Sequence, residues 1–296
     1  MMEVMEPLTF AKGQATGNDF VIVPDPDGQL ILNPELVAGL CDRRFGIGGD
    51  GLLRVVRTAA DPELAAFVGG SGAAEWFMDY RNADGSLAEM CGNGVRVFAR
   101  YLVETELVAV GEFVIGTRSG PVPVVVSPDA VSLTLGPTRV LGASSARLTG
   151  DGRLGGLELP GLAVDCGNPH LVCPLPAGIE LVDADLSRPP EVDRELFPAG
   201  ANVELIAPLP GEAELGADHI RMRVHERGVG ETLSCGSGAC AAAAAVRHVA
   251  GHRSGVVTVD VSGGRLLVAL TPEDCVLTGP AVIVAHGTTV AGLATS

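Results

Sequence analysis

Cys91-Gly92-Asn93-Gly94 and Cys235-Gly236-Ser237-Gly238 are two copies of one short pattern, separated by close to half the chain. A second pair keeps the same order and nearly the same offset: Gly17-Asn18-Asp19-Phe20-Val21 and Gly167-Asn168-Pro169-His170-Leu171. Chance supplies either pair alone. Both together point to an internal duplication, in which each half contributes one Gly-Asn element and one Cys-Gly-x-Gly element. At 296 residues the chain has room for two domains. The crossing between them is placed near Arg118–Gly120, giving a first domain of residues 1–118 with a return of about 281–296, and a second of 119–280.

Around these patterns the sequence reads mostly as strands. Phe20–Val23, Leu52–Val56, Trp76–Tyr80, Val122–Val126, Val131–Leu135, Val203–Ile206, Val256–Val261 and Leu266–Leu270 are β-branched or alternating runs bounded by Gly, Pro and Asp. Ile220, Met222 and Val224 alternate with Arg221, Arg223 and His225, as in a half-buried strand. Asn33-Pro34 starts a short helix to about Cys41. Two longer helices follow the repeated cysteines, from about Asn93 to Val103 and from about Gly238 to Val249. Apolar residues cover most of the first helix's circumference, as suits a helix surrounded by sheet. The second is rich in alanine, so sheet backbone can approach it closely. Pro208–Gly216 reads as a surface loop.

A thiol where a glycine-rich turn feeds a helix sits among unsatisfied N–H groups at the positive end of the helix dipole, which favours thiolate. The same N–H groups bind anions, and glycine lets a ligand carboxylate come close. One such cysteine is more often a packed thiol at a turn. Two copies, one per half, fit a particular task. Inverting a stereocentre requires a base on one face of a carbon and an acid on the other. Helix N-termini converging on the neighbouring carboxylate stabilise the charge that develops, so no electron-sink cofactor is demanded.

Composition narrows the field further. A formal charge of −16 and a pI near 4.7 argue against nucleic acid and anionic membrane as partners. No leader opens the sequence and no run is long and apolar enough to span a bilayer, so a cytosolic protein is expected. Seven cysteines, with no Cys-x-x-Cys pair and no His-Glu-x-x-His, read as reduced thiols without a metal site. Lys12 is the sole lysine, a single candidate for a pyridoxal phosphate Schiff base.

Longer blocks then show a resemblance. Phe10–Phe20, Cys41-Asp-Arg-Arg-Phe-Gly-Ile-Gly-Gly-Asp50, Asn82–Arg96, Gly167-Asn-Pro-His170, Asn202 and Glu226–Ala239 resemble, in order and spacing, the sequence blocks of the diaminopimelate epimerases. The resemblance implies an α+β fold: two pseudo-symmetric domains, each a β-barrel-like sheet wrapped around a central helix, with the active site in the cleft between them. It implies Cys91 and Cys235 as the two acid/bases that interconvert LL- and meso-diaminopimelate, a step toward lysine and peptidoglycan. It further implies no metal or other cofactor, a small-molecule substrate and a homodimer.

By the same resemblance, the backbone of Gly92, Asn93, Gly236 and Ser237 grips the α-carboxylate. Asn18, Asn82, Asn168, Asn202, Glu226 and Arg227 hold the ammonium groups and the distal carboxylate. His170 and Glu226 tune the thiols. Gly13-Gln14-Ala15 departs from the family pattern, and Gly51 stands where a glutamine is usual, which removes a side-chain contact. Two alternatives stay open. A proline or hydroxyproline racemase would share the cysteine pair but not need Arg227. A binding or redox protein, with Cys240 near Cys235, would tolerate loss of one thiol.

Overall fold

The computed structural model describes residues 7–69, 72–151, 153–209 and 218–290. The chain forms two compact units. One runs through Leu133 and takes up the chain again from Pro280; the other spans Thr134–Gly279. The expected crossing near Arg118 is therefore moved. Thr117 and Gly120 pair across a tight hairpin, closed by the Thr117 hydroxyl donating to Gly120 O at 2.8 Å, with Gly120 at φ 105°. Arg118 and Ser119 make a turn within one sheet, and a turn of that kind reverses the chain without leaving the unit. The loop expected at Pro208–Gly216 falls mostly on residues 210–216, which lie outside the described residues.

In the first unit the strands are β1 (Thr9–Ala15), β2 (Asn18–Pro24), β3 (Gly51–Arg57), β4 (Trp76–Asn82), β5 (Gly111–Thr117) and β6 (Gly120–Val126), and β7 (Val131–Leu135) begins in it and passes into the second unit at Thr134. The second unit carries β8 (Arg139–Arg147), β9 (Glu158–Asp165), β10 (Pro169–Pro174), β11 (Glu191–Val192), β12 (Asn202–Ala207) and β13 (His219–Glu226). It continues with β14 (Gly230–Thr232), β15 (Gly255–Val261), β16 (Gly264–Leu270) and β17 (Cys275–Gly279), and β18 (Val282–Thr288) returns to the first unit. The helices are α1 (Pro34–Cys41), α2 (Pro62–Phe67), α3 (Gly92–Glu104) and α4 (Gly236–Val249).

The duplication is visible in the pairing. The first unit's sheet runs β18-β1-β2-β3-β4-β5-β6-β7, with β2/β3 and β4/β5 parallel and the other neighbours antiparallel. The second runs β8-β9-β10-β12-β13-β15-β16-β17, with β10/β12 and β13/β15 parallel in the matching places. Within each unit one helix touches most strands: α3 meets β1, β2, β3, β4, β6 and β18, while α4 meets β8, β9, β10, β12, β13, β15, β16 and β17. Each sheet thus wraps a buried helix. Residues 93–102 of α3 and 238–246 of α4 are buried all round, the mark of a helix with no solvent face. Among the described residues no helix is long and apolar enough to cross a membrane.

Candidate active site

Each repeated cysteine is the N-cap of its buried helix. Cys91 and Cys235 have extended backbones (φ −139° and −121°), and each sulfur accepts the N–H of the third helical residue, Gly94 at 3.5 Å and Gly238 at 3.4 Å. A cap places the side chain over the first turn, where unpaired N–H groups gather. The sulfur therefore stands beside the best anion site that a helix offers. The glycine turns that precede Asn18 and Asn168 also repeat, with Gly17 at φ 83° and Gly167 at φ 88°, a region open to glycine at little cost.

In the first unit, a polar chain surrounds Cys91. The thiol donates to Asn18 Oδ1 at 3.6 Å, and Asn93 Nδ2 donates to the same oxygen at 3.2 Å. Arg96, wholly buried, donates to Asn93 Oδ1 at 2.7 Å and to Thr16 Oγ1 at 3.2 Å, and Asn18 Nδ2 donates to Asp50 Oδ2 at 2.6 Å. Asn82 lies at the end of β4 in a turn, where its Nδ2 donates to Ser86 Oγ at 2.9 Å. Lys12 is tied to Asp19 at 2.7 Å and to Gly48 O, while Arg43 grips Asp19 and Asp50. Burial alone would raise the Asp19 pKa, but these two cations hold it far below the usual carboxylate range. At Gly51 a Cβ would stand 2.6 Å from Arg81 O. The missing side chain thus leaves β3 and β4 in close contact.

The second unit gathers Asn168, His170, Asn202, Glu226, Arg227, Cys235 and Ser237. Asn202 accepts Arg227 N–H at 2.9 Å and donates to Pro169 O at 3.3 Å, which fixes its amide. Ser237 Oγ lies 3.6 Å from Cys235 Sγ, and the Thr232 hydroxyl donates to Glu226. Arg227 is solvent-exposed. Burial pushes the Cys235 thiol well above its ordinary value, the Glu226 and Glu204 carboxylates push the same way, and the Ser237 and Gly238 donors offset this only in part. Burial likewise raises the Glu226 pKa, against hydrogen bonds from Thr232 and Cys235. His170 is fully buried, with Nδ1 2.7 Å from Glu204 Oε1 and Nε2 2.9 Å from Asn168 Oδ1.

Sequence reading gave no role to Asp50, Arg96 or Glu204. The signal for Glu204 is present: it is the one charged residue in the otherwise apolar strand Val203–Ala207, two places beyond Asn202 and so on the same face. Among the described residues, no group of three His, Cys, Asp or Glu side chains is arranged to hold a metal ion.

A family model described as diaminopimelate epimerase matches residues 10–141 and 162–284. The diaminopimelate epimerase of Thermobifida fusca is 50% identical over 282 residues, covering 95% of this chain and 97% of that protein. That of Mycolicibacterium gilvum is 48% identical, covering 95% and 96%. Among solved structures, a phenazine biosynthesis protein of the PhzF family from Bacillus anthracis superposes with a TM-score of 0.70 at 16% identity, covering 97% of this chain and 100% of that one. A hydroxyproline epimerase from Agrobacterium vitis gives 0.64 at 16% identity, covering 96% and 92%. At such identities the likeness is one of fold.

Proposed function

The chain belongs to the diaminopimelate epimerase family, and from that premise we propose that it interconverts LL- and meso-diaminopimelate by moving the α-proton between Cys91 and Cys235 without a cofactor. The observation that carries this reading is the repeated cap: in each unit a thiol receives the third N–H of a buried helix and so sits beside that helix's anion-binding end. The substrate α-carboxylate takes the N–H groups at Gly92-Asn93 and Gly236-Ser237, which stabilise the charge that builds on the adjacent carbon. Burial and the facing Glu226 and Glu204 carboxylates favour the protonated form of Cys235. One thiol takes the α-proton as base while the other delivers a proton as acid, and the roles exchange in the reverse direction.

Asn18, Asn82, Asn168, Asn202, Glu226 and Arg227 hold the substrate's ammonium groups and distal carboxylate in this scheme. The exposed guanidinium of Arg227 suits the distal carboxylate through a two-pronged contact. The same reading includes a homodimer acting in the cytosol. Stereopure LL-diaminopimelate incubated in deuterated water, with chelator and without pyridoxal phosphate, tests it. Conversion to the meso isomer with deuterium at one α-carbon is expected. No conversion, or turnover of proline in its place, would overturn the assignment.

A further inference from the structure

The two units carry matching strands, so each residue beneath one thiol has a counterpart beneath the other. In the first unit Phe20 pairs with Gly51 across β2/β3, and Leu53 lies two residues further along. In the second, His170 pairs with Asn202 across β10/β12, and Glu204 lies two residues further along. His170 thus occupies the place of Phe20, and Glu204 the place of Leu53. Contacts under the helix starts agree. A Cβ on Gly94 would meet Leu53 at 3.4 Å and Phe20 at 3.6 Å; one on Gly238 would meet Glu204 Oε1 at 2.7 Å. All four side chains are completely buried.

One scaffold therefore carries two floors under its two thiols, an apolar Phe–Leu floor below Cys91 and an ionisable His–Glu floor below Cys235. The apolar pair demonstrates that packing alone does not demand the polar one. Burying the latter is costly, since Glu204 Oε2 is buried with no hydrogen-bond partner among the described residues. Stability gives no reason for this pair, which leaves the site above it. Resting on the epimerase reading, we propose that Glu204 is a positioning residue for the reaction: through one proton shared with His170 it fixes the imidazole as a donor to Asn168, leaving the Asn168 Nδ2 donors for substrate.

The proton count follows from the contacts. Asn168 Oδ1 can only accept, so His170 Nε2 carries hydrogen. Nδ1 and Glu204 Oε1, 2.7 Å apart, then share one further proton, which the carboxyl carries and Nδ1 accepts. That arrangement keeps the pair neutral as a whole and limits the charge on the unpartnered Oε2. Without an oxygen at position 204, Nδ1 loses its partner, the two ring tautomers become comparable, and the amide of Asn168 is free to turn.

The test uses the full chain labelled with ¹⁵N-histidine. In the unaltered protein the His170 resonances, assigned by their loss in His170→Phe, should report a single Nε2–H form with a strongly hydrogen-bonded Nδ1. Glu204→Gln keeps a donor toward Nδ1, so it should keep that form and a kcat/KM within about threefold. Glu204→Leu installs the residue the first unit carries at this place. It should fold, lose the single form, and lower kcat/KM on LL-diaminopimelate by about 10- to 100-fold, the usual effect of unpairing one buried polar group. A Glu204→Leu enzyme with unaltered kcat/KM would overturn the proposal, as would a glutamine variant as impaired as leucine, or His170 found as mixed tautomers in the unaltered protein. Should the leucine variant not fold, the glutamine variant and the resonances decide. Absence of diaminopimelate turnover by the unaltered protein would refute the epimerase reading and leave the tautomer measurement standing.

Discussion

Each active-site sulfur serves its helix as well as the proposed chemistry, and the two demands favour different residues. Serine is a better N-cap than cysteine because its oxygen accepts a stronger hydrogen bond from the third helical N–H. Cys91→Ser and Cys235→Ser should therefore be as stable as the unaltered protein, or more stable by up to about 1 kcal/mol. Both should nonetheless lose epimerisation by about 10²- to 10⁴-fold, since a hydroxyl is a far weaker acid/base than a thiol. Alanine removes cap and chemistry together, and should cost about 1 kcal/mol of stability besides activity. Two groups that exchange a single proton act as a unit, so Cys91→Ala/Cys235→Ala should be little slower than either single variant. Thermal melts and turnover measured on the unaltered protein and these five variants separate these expectations. A single-cysteine variant with near-normal turnover of LL-diaminopimelate would remove the two-base reading.

The helix starts invite a paired comparison, because Gly94 and Gly238 are equivalent in sequence but face different floors. A Cβ on Gly94 meets only ordinary contacts, the nearest at 3.4 Å, and alanine is the better helix former. Gly94→Ala should leave stability unchanged or raise it by up to about 1 kcal/mol. A Cβ on Gly238 would lie 2.7 Å from Glu204 Oε1, whose carboxyl is held by His170. Gly238→Ala should therefore destabilise, by roughly 1–3 kcal/mol, and urea midpoints of the two variants give the contrast. Equal midpoints would mean that the Glu204 carboxyl yields easily. This difference was hidden in the sequence, where Gly-Asn-Gly and Gly-Ser-Gly look alike. The duplication was legible because glycine turns and helix caps are set by local residues. What Phe20 and His170 each lean on depends on strands brought together from far along the chain. The tight turn at Arg118–Gly120 was likewise misplaced as a crossing, since a hairpin and a linker share the same small residues.

Across the whole molecule, one lysine and two tyrosines leave few groups besides thiols to titrate between about pH 9 and 12. Cysteine burial thus sets the alkaline limit of stability. Cys41 is the last residue of α1 and Cys173 lies in β10, both packed away from water, and burial pushes their thiols up to about 11 and about 12. Cys166, Cys235 and Cys240 are raised in the same direction, Cys166 and Cys235 chiefly by burial and Cys240 first by its contact with Cys275. In the unfolded chain these thiols ionise at an ordinary value near 8.5. A group whose folded pKa is raised contributes its full stability below the unfolded pKa and loses it as pH climbs toward the folded one. Stability should accordingly hold to about pH 8 and fall from there, with Cys41 alone accounting for roughly 2–3 kcal/mol by the time pH reaches its folded value. Urea unfolding under reductant at pH 8 and pH 10.5 measures the fall. Cys41→Ala, although less stable at pH 8 because of the space it leaves, should show a shallower decline between the two. An unaltered protein with the same midpoint at both pH values would mean that these thiols ionise as readily in the folded chain as in the unfolded one.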